Sequence, residues 1–331
     1  MVHTTAAGMS SLVVGDTMEN LTIVMYHYVR PIKNSAWPGI KGLEFDDFIG
    51  QLDHIQRQYS LIGAADIIAA HAGEALPLNA ALLTFDDGYL DHYQYAFPEL
   101  KRRSILGAFF PPARAVLEGQ LLDVNKIHFI LAATGNHTAI ADFIDAKVSA
   151  AIDAFDLQPV AAYRNAHAHP NRFDTAEIIY IKRMLQHALP KVLRTKIADA
   201  LFAKFVTTDE VAFAAELYCS PNQLAEMAED GMSIGGHGYA HHWLDSLTRE
   251  QQRQDIALSH GMLKDIGALK DHFLFCYPYG AFNADTLELL QDLDCQAAFT
   301  TKVSKAYVGP GADMLQLPRM DTNDLPKKVP F

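Results

Sequence analysis

The chain has 331 residues, half of them hydrophobic and a fifth charged, which is ordinary globular composition with length for one large domain or two modest ones. Its formal net charge of -12 and sequence pI near 5.6 leave no broad basic surface to neutralise a phosphate backbone, so nucleic acid is excluded as an expected partner. Cys219, Cys276 and Cys295 lack CxxC spacing, so they form neither a disulfide framework nor a zinc knuckle and read as reduced, partly buried thiols.

Residues 1–20 read as an N-terminal extension. No basic residue precedes the short apolar run at Ser11 to Val14, so the charged start of a secretory signal is missing. No other segment approaches the roughly 20 apolar residues that cross a bilayer. The expectation is a soluble, cytoplasmic protein without a transmembrane segment.

Leu21 to Val29 is a short apolar, β-branched run without polar alternation, the pattern of a strand buried on both faces. Phe45, Phe48, Ile49, Leu52, Ile55 and Tyr59 then recur at helical spacing, which predicts an amphipathic helix over about Glu44 to Gln58. The alternation continues with a strand at Ala81 to Phe85, a helix at Tyr89 to Arg103, and a strand at Ile105 to Phe110 that Pro111 and Pro112 end. Residues 21–121 form the first part of this strand and helix alternation, which implies a mainly parallel sheet with helices outside.

Over residues 122–219 the pattern becomes helical, with segments at Lys126 to Ala133, Ala139 to Phe155, Thr175 to Leu189 and Val192 to Phe205. This reads as a helical insertion that covers or extends a groove. The rhythm resumes over residues 220–324, beginning with a helix that Ser220 caps and Pro221 starts. Strands follow at Met232 to Gly236, Phe273 to Tyr277 and Ala297 to Thr301, with helices at Thr248 to Leu269 and Ala284 to Leu293, and residues 325–331 are left as a tail. Seven or eight short parallel strands suit a barrel, whose catalytic residues gather at the C-terminal strand ends.

Three polar motifs fall at those ends. In Thr84-Phe85-Asp86-Asp87-Gly88 an apolar strand ends in two adjacent carboxylates, costly in a buried position unless a cation or a reaction uses them. In His237-Gly238-Tyr239-Ala240-His241 two imidazoles stand four residues apart, and one helical turn there would aim both rings the same way. Two imidazoles and one carboxylate suit zinc or another divalent transition metal, which lowers the pKa of water and polarises a carbonyl. The third motif is Phe275-Cys276-Tyr277-Pro278-Tyr279-Gly280. His167 and His169, beside Pro170, read as a solvated loop, and most aromatics near the strands read as core.

In this order the three motifs resemble those of the polysaccharide deacetylases with NodB homology, carbohydrate esterase family 4, from about Leu21 to Asp324. The resemblance implies an α/β fold, a distorted (β/α)7 barrel of the NodB-homology type, here with the helical insertion. It also implies a metal-dependent hydrolase that removes acetyl groups from an N-acetylated saccharide. By position it makes Asp86 the general base, Asp87, His237 and His241 the metal ligands, and the Tyr279 backbone amide a donor to the oxyanion. His242 is the rival of His241.

The chain departs from the family in having Cys276 where an Arg commonly orients the base, and Arg319 in Leu317-Pro318-Arg319 is the candidate substitute. It also lacks a clear late leucine-x-histidine motif near its C-terminus. Met25-Tyr26-His27 has the same form at the end of the first strand, as in permuted members of the family, which makes His27 the candidate general acid. The competing reading of His27 is a core histidine bonded to a backbone carbonyl. The resemblance further implies a substrate among surface-polysaccharide precursors or oligosaccharides. An amidohydrolase of small non-sugar amides and a non-catalytic carbohydrate-binding protein are the alternatives.

Overall fold

The first apolar run is buried along its whole length as strand β1, Leu21–Tyr26, and a separate two-residue strand follows at Val29–Arg30. In this computed structural model, which describes residues 20–171, 174–269 and 272–327, β1 pairs in parallel with β2, Ala80–Asp86, from Leu21 against Ala80 to Tyr26 against Phe85. Of the expected N-terminal extension only Asn20 falls within the described residues, and the tail from 328 onward lies outside them.

β2 pairs with β3, Gly107–Phe110, and β3 with β4, Ser233–Ile234, both in parallel. β5, Phe273–Cys276, pairs in parallel with β6, Cys295–Phe299. The last strand, β7 at Met320–Asp321, returns to the free side of β1. Single parallel bridges, Gly236 to Phe275 and Phe299 to Leu317, join the two groups, so the parallel pairings run through seven segments and back to β1. Because the strands run the same way, their C-terminal ends face one side, and the polar motifs come together there.

Helix α1, Phe45–Gln58, buries Phe48, Leu52 and Ile55 as its periodicity requires. Helix α2 is Ala64–His71. The single helix expected over Tyr89 to Arg103 is instead a π turn, His92–Ala96, that runs into α3, Phe97–Arg102. Pro98 has no N–H to donate back into the preceding turn, and the wider turn meets that loss. Helix α4 is Ala113–Glu118.

Among the described residues from Asp123 to Leu217 the regular structure is all helical: α5 (Asp123–Ala133), α6 (His137–Phe155), α7 (Val160–His167), α8 (Ala176–Arg183) with its π turn Met184–Ala188, α9 (Lys191–Phe205) and α10 (Glu210–Leu217). These helices share their own apolar core, including Ile127, Ile140, Ile144, Tyr180, Ile181 and Leu201, apart from the cluster of Phe48, Leu52, Phe85 and Phe109 beneath α1. Helix α11, Pro221–Glu229, starts with the capping box of Ser220 and Gln223, and α12 (Arg249–Asp265) and α13 (Ala284–Asp292) complete the chain. No helix of the described residues is long and apolar enough to cross a membrane.

Candidate active site

Strand β2 delivers Asp86 as its last residue, and the chain then turns sharply, with φ of 73° at Asp87 and 62° at Gly88. Gly88 is needed twice over, for its φ and because a Cβ would lie 2.6 Å from Cβ of Pro111. The turn gives two neighbouring carboxylates different surroundings.

Asp86 belongs to Arg319. The guanidinium, fully buried, donates from Nη1 to Oδ1 at 2.8 Å and from Nη2 to Oδ2 at 2.7 Å. Its Nε donates to the Thr300 carbonyl at 2.9 Å and Nη1 also reaches Thr84 Oγ1 at 3.1 Å, so the fork is fixed in orientation. The Cys276 Sγ lies 3.1 Å from Nη2 and 3.5 Å from Asp86 Oδ2. Burial alone would raise the Asp86 pKa, but the charge and hydrogen bonds of Arg319, with smaller help from His237 and His27, outweigh it and hold the carboxyl at about 2. Asp86 is therefore an ionised, oriented carboxylate at neutral pH.

Asp87 belongs to the histidines. Its Oδ1 is 3.4 Å from His237 Nε2 and 3.2 Å from His241 Nε2, and all three residues are buried. Nδ1 of His237 lies 2.7 Å from the Cys276 carbonyl, which can only accept, so Nδ1 carries a proton and Nε2 offers a lone pair whenever the ring is neutral. The other Asp87 oxygen, Oδ2, accepts from the Tyr89 hydroxyl at 2.6 Å. Tyr89 in turn takes a hydrogen bond at 2.7 Å from Nδ2 of Asn125 on α5, whose Oδ1 accepts from the Tyr218 hydroxyl at 2.5 Å.

His237 and His241 are not joined by a helical turn. The segment is an irregular loop with positive φ at Gly238, 68°, and at His241, 53°, and it brings the ring centroids to 4.8 Å. Asp255 of α12 holds this loop by accepting the backbone N–H of Tyr239 at 2.7 Å and of Ala240 at 3.3 Å. Sequence reasoning missed Asp255, which in the sequence is one polar residue of a long amphipathic helix. The rival His242 faces elsewhere, with Nε2 2.9 Å from Lys191 Nζ and Nδ1 3.3 Å from Asp255.

Two sets of ligating atoms lie within 4.8 Å of one another, Asp87 with His237 and His241, and Asp86 with His237 and Cys276. The first fits a divalent cation. Oδ1 of Asp87 is a buried oxygen without a hydrogen-bond partner, beside two imidazole nitrogens, a donor set that suits zinc. In the second set both carboxylate oxygens and the thiol already face the Arg319 guanidinium, a fixed positive charge that opposes a cation.

His27 sits just beyond the end of β1, with Nε2 3.8 Å from Asp86 Oδ2. Its side chain is 45% exposed, so it is not the buried core histidine of the competing reading. The backbone carbonyl of His27 lies 2.8 Å from Nε2 of the buried His92, which pins the strand end. Tyr279 has φ of 59°, and its ring stacks on Trp243 at 4.5 Å and meets the His241 ring edge-on at 4.6 Å. Tyr26, Tyr28 and Tyr89 are buried, in line with their reading as core. Beside His241 and Tyr279 opens a cavity of about 210 Å³ whose far wall includes Asp123, Leu185, Lys191 and Arg194 of the helical segment.

Residues 172–298, which include both histidines and Tyr279, match the family described as polysaccharide deacetylase. Over that stretch, somewhat over a third of its length, the chain is similar to that family. The chain is similar in structure to the Streptococcus pyogenes deacetylase PplD, solved in complex with acetate, at 17% identity and a TM-score of 0.57 over 92% of each chain. It is similar to IcaB from Ammonifex degensii at 21% identity and a TM-score of 0.54, again over 92% of each chain. A de-N-acetylase from Aggregatibacter actinomycetemcomitans matches at 16% identity and a TM-score of 0.53, over 94% of this chain and 97% of that one. At these identities the likeness is one of fold. A search of curated proteins returns no match.

Proposed function

We propose that the chain hydrolyses the N-acetyl group of an amino sugar within an oligosaccharide or surface-polysaccharide precursor, releasing acetate and a free amine. The observation that carries this reading is the division of labour between adjacent carboxylates, Asp86 bound to Arg319 and Asp87 open to two imidazoles. Asp87, His237 and His241 would hold a divalent cation, zinc by their donor chemistry. Such an ion, when bound, makes a water more acidic and polarises the acetyl carbonyl.

Asp86, held ionised and aimed by Arg319, takes a proton from the attacking water. The backbone amide of Tyr279 would donate to the developing oxyanion, a type of contact that contributes about 3–4 kcal/mol where it has been removed. As the carbon–nitrogen bond breaks, His27 supplies a proton to the leaving amine, and the acetyl carbon departs as acetate. The convergence of Arg319 and His27 on Asp86 supports hydrolysis over a role in binding alone.

The test is acetate release from N-acetylated chitooligosaccharides by purified protein, before and after chelation and zinc re-addition, with the metal content measured in parallel. Chelator-sensitive release with about one ion per chain is the expected outcome. Release that persists after complete metal removal overturns the metal assignment, and ring opening of small cyclic amides with no acetate released from any chitooligosaccharide overturns the sugar assignment.

A further inference from the structure

The cavity next to His241 and Tyr279 has a charge opposite to that of the whole chain. Against a formal net charge of -12, its lining carries Arg114, Lys191 and Arg194 and a single carboxylate, Asp123. That carboxylate already accepts the Thr195 hydroxyl at 2.9 Å. Two of the three cations, Lys191 and Arg194, stand on α9, so the helical segment contributes them and not the strand ends that carry the chemistry.

Arg194 is the informative one. It is half-buried, and among the described residues it forms no ion pair; its one hydrogen bond is from Nη1 to the Leu189 carbonyl at 3.5 Å. Burial lowers its pKa, and the more distant charge of Asp123 does not restore it. A guanidinium drawn into a cavity wall without a counter-ion leaves most of its donors for something that enters the cavity. Lys191 stands nearby in a chain of contacts: Asp255 holds His242 Nδ1, and Nζ of Lys191 lies 2.9 Å from His242 Nε2. Asp255 thereby fixes the histidine loop on one side and the Lys191 ammonium on the other.

We propose that this cavity binds an anionic group of the substrate, a sugar carboxylate or phosphate next to the N-acetylated residue, with Arg194 and Lys191 as its specificity-determining residues. The inference rests on the reading of the site as one that takes an N-acetylated saccharide. The flat guanidinium of Arg194 pairs with two oxygens of either anion, and Lys191 adds a point charge. The stacked rings of Tyr279 and Trp243 line this cavity together with His241, so a saccharide with its acetyl group at the ion would lie against them.

The experiment compares three probes of equal length by calorimetric titration and by KM for acetate release. They are a neutral N-acetylglucosamine oligosaccharide, one that alternates with glucuronate, and one that carries a phosphate. One anionic probe is expected to bind at least about tenfold tighter than the neutral one, with the advantage shrinking as salt is raised. In Arg194→Gln, and further in Arg194→Gln with Lys191→Gln, the ratio of anionic to neutral affinity should fall toward one. Circular dichroism and thermal melting of both variants exclude unfolding as the cause. Which anionic probe gains identifies the source of the anion. Equal affinities in the unsubstituted protein, no binding of any probe, or a preference that survives both substitutions overturns the inference. If the anionic preference depends on Arg194 but no probe loses acetate, the hydrolytic reading falls and the anion site stands.

Discussion

Asp87, His241 and Tyr279 share an unusual backbone, with φ of 73°, 53° and 59°, and each of the three carries a side chain or amide that the proposed reaction uses. Non-glycine residues in this region cost about 1–3 kcal/mol each, and such strain gathers where geometry matters more than stability. Gly88 and Gly280 follow two of them with positive φ of their own, and Gly238 does the same after His237. For Asp86→Asn, acetate release should fall by about 10²–10⁴-fold with the ion retained, whereas His237→Ala should lose both. Metal analysis of the two proteins checks this, and equal metal loss would mean that base and ligand have been exchanged. Arg319→Lys is not conservative here, because an ammonium cannot make the paired contact to Asp86 while reaching Thr300 and Thr84. The Asp86 carboxyl is at about 2 in the folded chain against 3.8 for the free group, so its stabilising contribution is full above 3.8 and is lost as pH falls toward 2. With Arg319→Lys the folded value should rise and acid unfolding should begin at higher pH, measured by circular dichroism across an acid titration.

Between residues and whole molecule, the elements show what the sequence made legible. The buried parallel strands and the long amphipathic helices stood out because their periodicity spans several turns or an entire apolar run, as in β2 and α1. The short elements did not. Helix α7 buries none of its residues, and β7, only two residues long, carries too little pattern to recognise although it sits next to Arg319. The residues proposed as ligands stood out in the sequence, but the shape of the His237 to His241 loop did not, because it depends on Asp255 of α12, distant in sequence, which takes two of its backbone amides. Asp255→Ala should leave α12 intact and lower affinity for the ion by about 10–100-fold, the usual loss when a support behind the ligands is removed. Competition with a chromogenic chelator measures it. An unchanged affinity would mean that the loop keeps its form without Asp255.

At the scale of the whole molecule, a ring of parallel strands presents the chemistry and a separate helical core closes over one side of it. The fold class and the position of the helical segment along the chain were legible from alternation and its interruption. How the segment touches the site was not, because Asn125 and Arg194 look in the sequence like ordinary polar positions on Ala-rich helices. Added zinc should raise Tm, since an ion that binds only the folded chain at 100 times its Kd adds about 2.7 kcal/mol of stability. Differential scanning calorimetry with and without chelator checks this, and Asn125→Ala should reduce the gain.

The bond from Asn125 to Tyr89, and from Tyr89 to Asp87, has a further consequence. It makes the packing of α5 and the charge state of the proposed ligand Asp87 parts of one equilibrium. Linkage of this kind is reciprocal, so a saccharide that tightens the helical segment strengthens the hold on the ion by the same factor by which the ion strengthens the hold on the saccharide.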